Sequence, residues 1–295
     1  MDSVFEAKGL SKRFDDVVAL DDIDLEIRPQ SIVGLLGKNG SGKTTLLGQL
    51  MGLQLPTAGT SRTLGKLSSQ LDHEELIHIG FVPQEIRLLD WMTVHQHLRY
   101  VSCFYPEWDR ERQRRLQDEL ELESGAVVGS LSSGDLQKLA IILAVCHHPS
   151  LLILDEPVSD LDPIVRGRLL EFLLELLQED RATILVSSHV LRDVEKIVDR
   201  VVCLDHGRVV TDTDLDELKE RFAEWIVLAR HDSLPKEFEE TFILDQEISG
   251  REGRLLVDRS QAAPENFAAT HQLEISSRSL NLEEIFPLLL EESEV

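Results

Sequence analysis

Short apolar runs broken by polar turns fill the first 36 residues: Val4 to Leu10, Val17 to Leu20, Leu25 to Ile27 and Ile32 to Leu36. Runs of this length and punctuation predict strands, some of them antiparallel. A helix-like stretch, Thr45 to Leu50, leaves the glycine-rich segment after Leu36, and Pro56-Thr57-Ala58-Gly59 marks a turn. His78 to Val82 reads as a strand ended by Pro83-Gln84, and from about 90 to 125 the pattern turns helical and charge-rich. Leu151 to Leu154 is apolar without interruption, as expected of a strand covered on both faces of a parallel sheet. Pro163 opens a helix whose Leu169, Leu170, Leu173, Leu176 and Leu177 form a core-facing stripe. Thr183 to Val186 and Val201 to Leu204 predict two more strands, and His206-Gly207 a tight turn into Val209-Val210. Strands and helices that alternate in this way predict a wound, largely parallel α/β core.

A boundary is expected near residue 220. Beyond it lie apolar runs at Trp225 to Leu228, Phe242 to Leu244 and Leu255 to Val257, then a helix-like end from Leu280 to Leu290. This tail reads as a small α/β appendage.

Composition narrows the class. The chain has 295 residues, 42% of them hydrophobic, enough for one large domain and a small one. No apolar run approaches the roughly 20 residues of a membrane-spanning helix. Met1 to Glu6 lacks the basic and apolar regions of a secretory signal. Cys103, Cys146 and Cys203 stand far apart among apolar neighbours, so buried free thiols are expected. With 30 basic and 54 acidic residues the net charge is −24, which argues against nucleic acid as a partner. The one basic cluster, Arg110, Arg112, Arg114 and Arg115, has the spacing of a solvated helix face.

The chemistry is concentrated in Gly37-Lys38-Asn39-Gly40-Ser41-Gly42-Lys43-Thr44, a phosphate-binding loop with the strand before it and the helix after it that such a loop requires. Its glycines let backbone N–H groups turn toward phosphates, and the helix N-terminus adds partial positive charge. Lys43 is placed to reach the β- and γ-phosphates of a nucleoside triphosphate, and the Thr44 hydroxyl to ligate Mg²⁺. Leu151-Leu152-Ile153-Leu154-Asp155-Glu156 sets two carboxylates at the carboxyl end of a buried strand, where open α/β sheets bind ligands. Asp155 is expected to hold Mg²⁺, and Glu156 to orient the attacking water. His189 follows another strand and is a candidate contact to the γ-phosphate.

Taken in order over residues 4–220, these segments resemble the nucleotide-binding subunit of an ABC transporter. Gly37 to Thr44 is similar to the Walker A motif and Leu151 to Glu156 to the Walker B motif. Gln84 resembles the Q-loop, Ser159-Asp160-Leu161-Asp162 the D-loop, and His189 the switch histidine. The signature resembles Leu-Ser-Gly-Gly-Gln but reads Leu131-Ser132-Ser133-Gly134-Asp135, a departure at two of five positions. Asp135 suits a helix N-terminus but would repel a triphosphate if it pointed inward, so function is expected to persist with the rate of turnover left open. Phe104-Tyr105-Pro106-Glu107-Trp108-Asp109, Asp162-Pro163 with Arg166, and Leu282 to Phe286 resemble the ATPases of bacterial ABC-2-type export systems.

The resemblance implies a P-loop NTPase core of ABC type, a mixed sheet with an antiparallel β part and a helical subdomain at about 85–148. A small C-terminal α/β domain over 221–295 would follow. It implies ATP and Mg²⁺ as ligands, with Phe14 against the adenine and Gly37, Lys38, Asn39, Gly40, Ser41, Gly42, Lys43, Thr44 and Thr45 on the phosphates. Thr44, Gln84 and Asp155 would serve the metal, and Glu156, His189 and Gln84 catalysis. Two such subunits, identical or not, would sandwich ATP between one chain's Lys43 and Thr44 and the partner's Ser132 and Gly134. Separate transmembrane permease subunits, docked near Leu88, Leu89, Trp91 and Met92, would convert closure to export, with this chain peripheral on the cytoplasmic face of the membrane. Two alternatives remain open: a nucleotide-binding regulatory subunit with weak hydrolysis, and a soluble ABC ATPase not linked to a membrane.

Overall fold

The computed structural model describes residues 3–158, 161–231, 233–261 and 263–292. It divides into two compact units, Met1–Asp212 and Thr213–Val295. The helix Leu215–Arg221, assigned above to the first domain, therefore belongs to the second unit, where Arg221 pairs with Asp258 at 2.8 Å.

The strands of the first unit are β1 (Phe5–Phe14), β2 (Val17–Ile27), β3 (Ile32–Leu36), β4 (Ala58–Thr63), β5 (Lys66–Leu67), β6 (Ile79–Val82), β7 (Leu151–Asp155), β8 (Thr183–Ser187), β9 (Arg200–Asp205) and all but the last two residues of β10 (Arg208–Asp214). One sheet, in the order β2-β1-β4-β5, is antiparallel, with Phe5 opposite Ile27 and Phe14 opposite Val17. The two apolar runs 17–20 and 25–27 are one strand, because the polar step between them sits in a bulged stretch. Asp22 has a φ of 53°, and its N–H donates to Ser11 Oγ.

The second sheet runs β10-β9-β3-β8-β7-β6, and the pairs β9-β3, β3-β8, β8-β7 and β7-β6 are parallel. Every residue of β3, β7 and β8 is buried, which is why their sequences carry no polar alternation. This order brings the carboxyl ends of β3, β8 and β7 side by side. The loop after β3, the Asp155-Glu156 pair of β7 and the Ser187-Ser188-His189 turn of β8 share one rim of the sheet.

Between β6 and β7 lie the helices Val94–Ser102, Arg110–Glu119 and Ser133–Val145. Thr93 and Gln96 form a capping box at the first, and Asp109 accepts from Glu111 and Arg112 N–H groups at the second. The arginine cluster does not form a uniformly solvated face. Arg112 is buried and forks onto both Asp180 oxygens at 2.6 and 3.1 Å, while Arg110, Arg114 and Arg115 stay exposed. Asp180 closes the helix Pro163–Glu179, so a carboxylate distant in sequence draws Arg112 inward. That helix buries Leu169, Leu170, Leu173 and Leu176, with Phe172 added and Leu177 only half-buried.

The cysteines divide. Cys146 and Cys203 are buried, and burial pushes both thiols up to about 12, but Cys103 is exposed at the end of Val94–Ser102.

The second unit is an antiparallel sheet ordered β12-β13-β11-β14, built from β11 (Phe222–Ala229), β12 (Ile243–Ser249), β13 (Glu252–Asp258) and β14 (Leu273–Ser279). Trp225, Val227, Leu255 and Val257 pack with Phe238 and Phe267 on one face. The helix Pro264–His271 precedes β14 and the helix Leu282–Glu292 follows it. Among the described residues no helix is long and apolar enough to cross a membrane.

Candidate functional site

The loop Gly37–Thr44 turns tightly between β3 and the helix Lys43–Leu50. Two of its glycines have no substitute. A Cβ on Gly37, at φ +153°, would stand 2.3 Å from Ser41 Oγ, and one on Gly42, at φ +108°, 2.5 Å from the Ala19 carbonyl oxygen. Gly42 caps the helix without a side-chain bond, so the first-turn N–H groups keep their hydrogen-bonding capacity for an anion. Ser41 Oγ is buried without a partner, a second unfilled demand at this loop.

Lys43 is 7% exposed, and its Nζ donates to the carbonyls of Gly37 at 2.8 Å and Lys38 at 3.2 Å. Burial holds the ammonium below the ordinary lysine range, against the pull of the Glu156 and Asp155 carboxylates. Thr44 Oγ1 donates to Asp155 Oδ2 at 2.9 Å, which joins the loop to the tip of β7. Asp155 and Glu156 are both buried. His189 Nδ1 lies 2.7 Å from Glu156 Oε2. Glu156 adopts the left-handed conformation at φ 55°, a strained state that persists only where its surroundings hold it.

Lys43, Thr44, Asp155 and Glu156 bound a cavity of about 370 Å³, lined also by Asn39, Gly40, Gly42, Thr45 and Gln84, whereas Gly37, Lys38, Ser41 and His189 stand outside its lining. Its remaining wall is Val17, Val18 and Ala19 of β2. Phe14 does not line it: the ring is 43% exposed, and Lys12 Nζ stands 4.8 Å from its centroid. Val17 and Val18, both exposed apolar residues beside the phosphate loop, supply the apolar wall instead. Their signal was an apolar pair at a strand start with no core to fill.

The remaining expected residues are spread more widely. Ser132 and Gly134 do not line the cavity. Ser132 caps the helix Ser133–Val145, accepting the Asp135 N–H at 3.1 Å and donating to Asp135 Oδ2 at 2.8 Å. Lys138 Nζ donates to the other Asp135 oxygen at 2.9 Å, and that pairing, with the Ser132 hydroxyl, keeps the Asp135 carboxyl below the usual carboxylate range. Ser159 and Asp160 lie outside the described residues. Leu161 is buried, and Asp162 caps Pro163–Glu179 through the N–H groups of Ile164 and Val165.

Sequence reasoning missed Ser187. Its hydroxyl, fully buried at the end of β8, donates to Asp155 Oδ1 at 2.5 Å and accepts the Glu156 N–H at 3.1 Å. The available signal was a hydroxyl residue two places before His189, at the tip of an otherwise apolar strand.

The family model for ABC transporter matches residues 20–159. The bacitracin transport ATP-binding protein BcrA of Enterococcus faecalis is 31% identical over 223 residues, covering 75% of this chain and 72% of that protein. The Nod factor export ATP-binding protein I of Cupriavidus metallidurans is 33% identical over 223 residues, covering 74% and 73%. The chain belongs to the ABC transporter family.

Solved structures agree with this ABC assignment. An ATP-binding subunit of an ABC transporter superposes with a TM-score of 0.68 at 28% identity, over 74% of this chain and 92% of that one. An ATP-binding cassette solved as a dimer after hydrolysis, with ADP and Pi, gives 0.64 at 26% identity over 72% and 98%. The ABC protein described here is thus an ATP-binding and ATP-hydrolysing subunit, and its α/β core with a mixed sheet is that of the family's ATPase cassettes.

Proposed function

We propose that this ABC ATPase drives export through separate membrane-spanning subunits, with the cavity at the tips of β3, β7 and β8 as its nucleotide site. The observation that carries the reading is the bond from Thr44 Oγ1 to Asp155 Oδ2, which unites the phosphate loop with the buried carboxylate beside Lys43. Gly37 through Thr45 cradle the triphosphate, Lys43 leaves its two carbonyls for phosphate oxygens, and Val17 and Val18 offer apolar surface to the base. Phe14 reaches the adenine only if it turns from its present position.

The donors at Thr44, Asp155 and Gln84 are all oxygen, the set that a hard divalent cation accepts. The orphaned Ser41 hydroxyl and the uncapped helix start also fit phosphate, so the residues present suit Mg²⁺ with ATP. When bound, Mg²⁺ supplies neutralisation of phosphate charge. Glu156 holds the attacking water in line, and His189 holds Glu156. Ser132 and Gly134, off this chain's own cavity, face the nucleotide of a second subunit, identical or different.

Leu89 and Trp91 are exposed, at 37% and 69%, and offer a docking surface to a membrane partner, with Leu88 and Met92 half-buried beneath. Such docking makes the subunit peripheral on the cytoplasmic face. Transport and export in the names of its relatives support the direction.

The Asp135 carboxylate on Ser132 favours a second reading, a nucleotide-binding regulatory subunit with slow turnover. Steady-state hydrolysis of Mg-ATP by the purified chain, alone and with any membrane-spanning protein that co-purifies with it, separates the two. Turnover lost in Glu156→Gln and stimulated by the membrane partner supports the export ATPase. Nucleotide binding without turnover in either setting supports the regulatory subunit.

A further inference from the structure

Ser187 stands where β8 ends, between β3 and β7, and it is completely buried. A serine hydroxyl has one proton to give and lone pairs to receive with. Here the proton goes to Asp155 Oδ1 at 2.5 Å, and a lone pair takes the Glu156 N–H at 3.1 Å. The Ser187 carbonyl shares that same N–H at 3.2 Å. One residue therefore touches both members of the carboxylate pair, through the side chain of the first and the backbone of the second.

Each contact has a consequence for the site. With Oδ1 engaged by Ser187, the Asp155 oxygen turned toward Thr44 is Oδ2, at 2.9 Å. The Glu156 N–H belongs to a residue at φ 55°, a left-handed conformation that needs such outside restraint. Ser188, its neighbour, is equally buried but differently employed: its Oγ accepts the Val190 N–H at 2.9 Å, and among the described residues it bonds no carboxylate. The two adjacent serines thus provide an internal control.

We propose that Ser187 is a positioning residue that commits Asp155 Oδ2 to the metal side of the nucleotide site and fixes the backbone from which Glu156 projects. This rests on the nucleotide-site reading above. Partners that hold a ligating carboxylate in this way usually contribute about 10- to 100-fold to metal affinity.

Mn²⁺ binding, read by electron paramagnetic resonance in the presence of a non-hydrolysable ATP analogue, tests it. Analogue binding in EDTA is measured alongside for wild type, Ser187→Ala, Ser187→Thr and Ser188→Ala. The expected result is a loss of Mn²⁺ affinity of about tenfold or more in Ser187→Ala, with metal-free analogue binding within about twofold of wild type. Ser187→Thr restores most of the Mn²⁺ affinity, and Ser188→Ala leaves it unchanged. Unaltered Mn²⁺ affinity in Ser187→Ala overturns the proposal, as does an equal loss of metal-free binding, which marks a merely structural role. Should Ser187→Ala fail to fold, Ser187→Cys, similar in volume but a weak donor, takes its place with the same expected loss. Wild type that binds neither analogue nor Mn²⁺ instead removes the underlying nucleotide site.

Discussion

His189 gives Glu156 two bonds at once, from ring Nδ1 at 2.7 Å and from its own backbone N–H at 3.2 Å, both to Oε2. Where Glu156 is ionised it can only accept, so the ring nitrogen facing it, Nδ1, is the donor of that bond. Glu156 is buried while the His189 ring is 58% exposed, so the bond ties a buried carboxylate to a ring that solvent and ligands can reach.

Replacing Glu156 by Gln keeps the shape and removes the carboxylate proposed above to orient the attacking water. ATP turnover is expected to fall by about a hundredfold or more, with nucleotide affinity nearly unchanged. His189→Ala leaves Glu156 present but unheld and is expected to lower kcat more than it raises KM. Steady-state kinetics with a separate nucleotide-binding assay checks both.

Lys43→Ala deletes a buried ammonium from the phosphate cradle. A charge-assisted contact of this kind contributes about 2 kcal/mol, so ATP affinity is expected to drop roughly 30-fold in a calorimetric titration. Unchanged affinity places the nucleotide elsewhere.

Asp135 holds the hydroxyl of Ser132 and is itself held by Lys138. Asp135→Gln removes the negative charge and frees the hydroxyl for the partner nucleotide proposed above. More ATP-dependent dimer is expected by analytical ultracentrifugation in a Glu156→Gln background, where turnover cannot dissolve it. An unchanged dimer fraction rejects a restraining role for Asp135.

Arg112 links Arg110–Glu119 to the end of Pro163–Glu179 through Asp180, with 8% and 15% of the two side chains exposed. Removing one partner of a largely buried pair strands the other. Arg112→Ala is expected to cost about 3–5 kcal/mol in urea unfolding of the first unit, and Asp180→Asn added to it should cost little more.

His147 stacks on Tyr105 at 4.0 Å between centroids, and burial pushes its pKa down from 6.5 to about 4. Below 6.5 the unfolded chain takes a proton that the folded chain refuses, so stability drains as pH falls toward 4, at about 1.4 kcal/mol per unit from this group. His147→Phe keeps the stacked ring and removes the titration. Urea midpoints at pH 7 and pH 5 are expected to converge in that variant relative to wild type.

The parts of the site that the sequence made legible are local ones. A phosphate loop is contiguous, so the spacing of Gly37, Gly42, Lys43 and Thr44 carries its geometry, and the unbroken apolar run before Asp155 announces a buried strand. What escaped depends on chain segments that meet only after folding. The inward turn of Arg112 needed Asp180, 68 residues away. The wall formed by Val17 and Val18 needed β2 to pass beside the phosphate loop. β14 was missed because Leu273 to Ser279 carries only two apolar residues, Leu273 and Ile275. Cys103 looked buried from its neighbours, but it falls at the outward end of a helix. Ser187 drew no attention because serine is common, and only the strand order β3-β8-β7 gives it two carboxylate residues to serve.

That strand order also governs how the rim proposed to hold the nucleotide can fail. The tips of β3, β8 and β7 are spaced by peptide ladders rather than by loops, with Leu35 opposite Ser187 and Ser187 opposite Asp155. Side-chain changes at the tips can retune metal or water handling while the spacing stays put. A disturbance inside β8 moves all three stations together, so this enzyme should lose its rate well before it loses its shape.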